Sequence, residues 1–296
     1  MLNSLLVKIL PKKFVSKILS YKNQKRLDSL KKQSHWGKIN FKNLDLEIYL
    51  DKDFGLISDI IEQSGVYEPE ILEMIIKRVP ENCVFLDVGA NIGQHSLIMS
   101  KFCKEIVAFE PIPVLQNRFE MNLTRNQIKN VQLYPFGLSN ENIFTEMIVM
   151  NSHMGKSKPK LHNESEYDFL KKSWTGKNGN EMTIQNVELR TLDSFNLQKV
   201  DFIKIDVEGY EYFVLQGGLN TIKKFKPQII MEYSPLFFEA IEAGMSKKIY
   251  ELVTELGYKI FSVENRTVIG NFEDLPVDQC NLLLSPKDFQ QDTFTF

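Results

Sequence analysis

The sequence predicts an α/β fold: an open, mostly parallel sheet with helices on both faces. From residue 83 onward, short β-branched or aromatic runs alternate with amphipathic helical stretches, as in a parallel sheet with crossover helices. Strand ends such as "VFLDVGANIG" and "DFIKIDVEGYE" pass abruptly from apolar residues to glycines and acids. The 296 residues, 43% hydrophobic and 25% charged, suit one catalytic-sized core and exclude collagenous, disordered and disulfide-scaffold chains.

Residues 1–43 read as a basic amphipathic N-terminal extension. They carry eleven Lys/Arg against the single acid Asp28, whereas the remaining residues hold 25 Lys/Arg against 37 Asp/Glu. Leu5, Leu6, Ile9, Phe14, Ile18 and Leu19 among lysines permit short helices that pack on the body or touch an anionic membrane surface. The apolar runs are too short to span a bilayer. With no secretory cleavage signal in view, the expected location is cytoplasmic, with peripheral contact at the inner membrane surface through residues 1–40. Cys83, Cys103 and Cys280 show no C-x-x-C spacing, so neither a disulfide nor a zinc site is expected, in keeping with a reducing compartment.

Residues 44–80 form a lead-in, extended at "LDLEIYL" and helical at "PEILEMIIKRV". The main domain, 81–296, has seven expected strands: "CVFLDV", "EIVAFE", "VQLYPF", "DFIKIDV", "PQIIME", "YKIFSV" and "CNLLLS". Helices are expected from about Gln94, Val114, Glu211 and Ser246, the last closed by Gly257. Residues 151–183, polar and without period, read as a long insertion or lid, either serving the substrate side or simply disordered.

In open α/β sheets, ligands bind beyond the carboxyl ends of the strands. The first strand ends at Asp87, Gly89, Ala90, Asn91 and Gly93, whose glycines let backbone approach a ligand. Glu110, followed by Pro111, lies 23 residues after Asp87, a suitable distance for a carboxylate on a ribose. The middle glycine of a pyrophosphate-binding turn is missing and Asp87 adds negative charge, which disfavours a diphosphate but not a ligand carrying ammonium and sulfonium groups. The turn alone is also consistent with Asp87 as a helix cap.

Further along, strand alternation puts Lys204, Asp206 and Glu208 on one face, opposite the apolar residues, and Glu232 ends the next strand. Asp206 or Glu208 can deprotonate a hydroxyl, with Glu232 orienting it. The plainer reading pairs Lys204 with one acid and uses Glu208 as a cap. His95 reads as a surface or capping residue, and His35, His153 and His162 lack ligand spacing, so no metal is expected.

With "DVGANIG", "FEPIP", "TLDSF", "VDFIKIDVEGYE" and "PQIIMEYS" in this order, the chain resembles the FkbM family of methyltransferases over roughly residues 70–265. The resemblance implies a Rossmann-like class I methyltransferase fold and S-adenosylmethionine as methyl donor. It places Gly89–Gly93 near the methionine moiety, Glu110 on the ribose and Asp206 near the transferred methyl. It further implies O-methylation of a hydroxyl on a glycan sugar or natural product. The rival readings are a nucleic-acid methyltransferase, disfavoured by the acidic body and the lack of an N/D-P-P-F/Y segment, and a non-catalytic, membrane-associated binder of the same cofactor. No nucleic-acid partner is expected.

Overall fold

The computed structural model describes residues 34–50, 56–150, 158–159 and 182–289. Of the expected extension 1–43, residues 1–33 lie outside the described residues and 35–39 form a strand rather than a helix; nearly all of the 151–183 insertion also lies outside them. Two strands, β1 (His35–Ile39) and β2 (Leu46–Leu50), pair antiparallel, followed by α1 (Leu56–Ser64) and α2 (Pro69–Arg78). Along β2 the alternate residues Leu46, Ile48 and Leu50 are buried, the period-two pattern of a strand covering a core.

The main sheet begins with β3 (Val84–Val88), followed by α3 (Gln94–Met99), β4 (Glu105–Phe109), α4 (Pro113–Arg125) and β5 (Val131–Tyr134). It resumes with β10 (Phe202–Ile205), α5 (Glu211–Gly217), α6 (Leu219–Phe225), β11 (Gln228–Tyr233), α7 (Pro235–Ile241), α8 (Met245–Glu255), β12 (Lys259–Ser262), β13 (Thr267–Ile269) and β14 (Cys280–Ser285). The strand order is β13-β12-β14-β11-β10-β3-β4-β5. The five from β11 to β5 are mutually parallel, and β14 is inserted antiparallel between β11 and β12. All seven expected strands are present; the short β13 adds an eighth at the edge.

The central strands β3 and β10 are buried on both faces, which is why they read as near-continuous apolar runs. Val84, Leu86, Val88, Ile203 and Ile205 pack on one side with Val214, Ile222, Ile249 and Val253. Phe85 and Phe202 face the other, with Ile71, Leu72, Leu97, Ile98 and the buried face of β2. Asp87 and Lys204 share this second face, and the parallel register sets them side by side.

A second sheet went unread in the sequence. It contains β6 (Gly137–Leu138), β7 (Ile143–Met150), β8 (Lys158–Pro159) and β9 (Met182–Arg190), in the order β6-β9-β7-β8. β7 and β9 pair antiparallel from Ile143↔Leu189 to Met150↔Met182, so the intervening segment leaves and re-enters at adjacent points. Gly217 is needed where this sheet meets α5: a Cβ there would lie 1.9 Å from the Ser139 carbonyl oxygen.

The cysteine expectation is corrected: Cys83 and Cys103 form a disulfide, and Cys280 is free and buried. Parallel pairing aligns Val84 with Glu105, so residues just ahead of the two strands meet although 20 positions separate them, a proximity that motif spacing does not reveal. Cysteine usage therefore no longer argues for a reducing compartment. Among the described residues no helix is long and apolar enough to cross a membrane. Because the disulfide closes the loop containing α3, Cys103→Ala should lower unfolding free energy by about 3 kcal/mol or less. Denaturant melts of oxidised protein check this, and equal midpoints for variant and wild type would refute it.

Candidate functional site

The carboxyl ends of β3, β4, β10 and β11 meet in one acidic cleft. After β3 the chain turns through Gly89 (φ +80°), Asn91 (φ 55°) and Gly93 (φ +85°). Gly89 is obligatory: a Cβ would lie 1.9 Å from the carbonyl oxygen of Asp206, and the Asp206 N–H donates to Val88 O at 3.0 Å. The turns after β3 and β10 thus touch through backbone. At Gly93 a Cβ would enter the Phe119 ring at 2.1 Å.

The Gly89 and Ala90 N–H groups both donate to Phe109 O, which ties the turn to the end of β4. Glu110 completes the joint. Its two carboxylate oxygens accept from Asn91 N–H at 2.8 Å and Ile112 N–H at 2.9 Å. Buried, with Pro111 and Ile112 following, the carboxyl is pushed up to about 7 by desolvation, against the pull of those two donors. Each oxygen keeps a lone pair for a further donor.

Asp87 does not cap α3, which has no side-chain cap. Its Oδ2 accepts from Ser96 Oγ at 2.6 Å, while Oδ1 is buried without a hydrogen-bond partner. Burial raises its pKa; Lys204 and Ser96 oppose the rise. Lys204, itself buried, donates to Asp206 Oδ2 at 3.0 Å. Burial works against its charge, but Asp206, Asp87 and Glu68 together raise its pKa.

Two sequence readings are corrected here. β10 stops at Ile205, because Asp206 already belongs to the turn that Gly89 contacts. Glu208 consequently lies outside the strand, in a left-handed conformation (φ 56°). Glu211 shapes this turn instead, accepting from Val207 N–H and Gly209 N–H at 3.0 Å each. Its carboxyl is pushed up to about 7 by burial, with those donors opposing.

The folding brings Asp206, Glu208 and Glu232 together. One carboxylate oxygen from each lies within 4.8 Å of the others, a spacing that can hold one cation or several hydroxyls and that residue intervals did not disclose. Gln279 donates to Glu232 Oε1, whereas Oε2 is buried and unpartnered. Burial, then repulsion by Glu208 and Asp206, pushes the Glu232 carboxyl well up.

His95 is neither exposed nor a cap. It is 6% exposed, and its Nε2 lacks a hydrogen-bond partner, 3.6 Å from Glu68 Oε2. Burial and then Lys204 keep the imidazole neutral. Tyr67 and Glu68, from the lead-in, are the site residues that sequence reasoning missed. An acid before a proline-started helix reads as a cap, yet Glu68 makes no capping bond.

Because Glu110, Glu211 and Glu68 ionise in the folded protein only at about 7, 7 and 8, their raised values favour the fold below the unfolded carboxyl range. That contribution is lost as pH climbs through the folded values. Thermal melts of the ligand-free protein should fall from about pH 5 to 8, and Glu110→Gln should flatten the slope; a rising profile would contradict this.

Residues 87–260 match the Methyltransferase FkbM domain, more than half of the chain. Among curated relatives, Methyltransferase sdnD of Sordaria araneosa is 29% identical over 207 residues, 62% of this chain and 77% of the relative. Hexuronic acid methyltransferase AglP of Haloferax volcanii is 29% identical over 156 residues, 53% and 58% respectively. Methyltransferase 1 of Beauveria bassiana is 29% identical over 149 residues, and the match spans only 59% of that relative. The crystal structure of an FkbM methyltransferase from Methylobacillus flagellatus KT aligns with a TM-score of 0.43 at 15% identity, covering 79% of this chain and 56% of that one. The chain belongs to the FkbM methyltransferase family.

Proposed function

We propose that the protein is an S-adenosylmethionine-dependent O-methyltransferase acting on a hydroxyl, either on a sugar of a surface glycan or on a natural product. The observation that carries this reading is the joint between Glu110 and the Gly89–Gly93 turn, set beside the converging carboxyls of Asp206, Glu208 and Glu232. The residues fit the cofactor. Glycines open the turn, Glu110 has lone pairs to spare for two ribose hydroxyls, and Asp87 and His95 hold buried polar atoms that lack partners, as expected where a ligand supplies them.

Bound S-adenosylmethionine supplies a methyl group on a positively charged sulfur. Transfer is an in-line displacement, so the chain's task is alignment and exclusion of water. A neutral alcohol is a weak nucleophile, and a carboxylate at the strand end can take its proton as the new bond forms. Asp206 or Glu208 supplies that base. Glu232, held by Gln279, orients the hydroxyl, with Gly89, Ala90, Asn91, Gly93, Glu110 and Pro111 lining the donor side. The hexuronic-acid relative supports a sugar acceptor. In this reading the protein works in the cytoplasm, its arm resting on anionic lipid.

Calorimetry should show binding of S-adenosylmethionine and S-adenosylhomocysteine but not NAD, and binding of NAD alone would sink the proposal. Glu110→Gln should weaken both cofactor forms by about 10- to 100-fold. Asp206→Asn and Glu208→Gln should instead suppress labelled-methyl transfer to isolated surface glycan. For the arm, deleting residues 1–33, which stops short of β1, should leave cofactor affinity intact and reduce sedimentation with anionic liposomes; no sedimentation of the full chain removes the membrane contact.

A further inference from the structure

The lead-in is fastened to the cofactor turn by one side chain. Gln94, buried at the start of α3, accepts from Tyr67 N–H at 2.6 Å and donates to Tyr67 O at 2.9 Å. This double bond to the backbone imitates a neighbouring strand and fixes the next residue, Glu68. That residue is left-handed (φ 53°, ψ 53°) immediately before Pro69, a conformation that costs on the order of 1 kcal/mol or more for a non-glycine residue. The strain yields no helix cap. It aims the carboxyl at His95, whose Nε2 is buried and unpartnered 3.6 Å away.

We propose that Glu68 and His95 receive the amino group of the donor's methionine moiety, so that a residue outside the family-matched segment 87–260 completes the cofactor site. This assignment rests on the S-adenosylmethionine reading above. Two acceptor atoms 3.6 Å apart can both reach one nitrogen at about 2.9 Å, the usual hydrogen-bond length, and a neutral imidazole nitrogen offers the lone pair that an ammonium needs. Charge favours a cation here, because Asp206, Asp87 and Glu68 already share the single ammonium of Lys204. In the ligand-free protein burial and Asp206 push the Glu68 carboxyl up to about 8, with Lys204 and Tyr67 opposing and Glu264 adding repulsion. An arriving ammonium displaces that proton.

The test compares S-adenosylmethionine and S-adenosylhomocysteine with 5′-methylthioadenosine, which keeps the nucleoside and lacks the amino-acid end. By calorimetry, Glu68→Gln should weaken the first two by about 10- to 100-fold and leave the third unchanged, which also shows that the variant is folded. In wild type, affinity for the first two relative to the third should rise from about pH 6 to 7.5, and the rise should vanish in the variant. Equal or tighter binding of S-adenosylmethionine by the variant overturns the assignment, since the amino group then lies elsewhere. Equal loss for all three ligands also overturns it, by showing a general effect on the fold. Wild type that binds neither amino-acid-bearing ligand sinks the methyl-donor reading and this assignment together.

Discussion

The buried ammonium of Lys204 is what allows so many acids to coexist at the end of this sheet. It lies beside Asp87 by strand register and bonds Asp206 at 3.0 Å. Removing one partner of such a pair leaves an uncompensated buried charge, commonly at a cost of about 3–5 kcal/mol. The surrounding carboxyls depend on the same charge: with it gone, Asp87 and Glu68 would be driven further toward their neutral forms. The cleft is therefore an electrostatic unit in which affinity, acidity and stability cannot be adjusted one residue at a time.

Steric constraint reinforces this coupling. The turn bearing Gly89 rests on the backbone of Asp206, so the donor side and the acid cluster are positioned by a common contact. Glu110 and Glu211 play matched parts, each using a buried carboxylate to gather two N–H groups of an irregular loop. Both loops would otherwise leave donors unpaired in a dry interior.

Much of the sheet was legible because parallel strands buried on both faces show as uninterrupted apolar runs, and Asp87, Glu110, Asp206 and Glu232 stand at the ends of such runs. The small second sheet was not, since β7 and β9 mix polar and apolar residues and pair across a long intervening segment. Glu208 was misplaced because alternation was carried one turn past Ile205. His95 was misread and Glu68 missed for a common reason: their significance lies in a contact 27 residues apart in sequence. The Cys83–Cys103 pairing was hidden similarly, by a crossover that returns the chain to its starting edge.

Asn122 and Asn126 of α4 accept from the backbone N–H groups of Tyr49 and Glu47, and Asn126 also donates to Glu47 O. Two amide side chains thus stand in for a third strand along β2. Exposed strand borders recruit other chains and seed aggregation. With β1 on one border and α4 on the other, β2 presents little free backbone to a stranger.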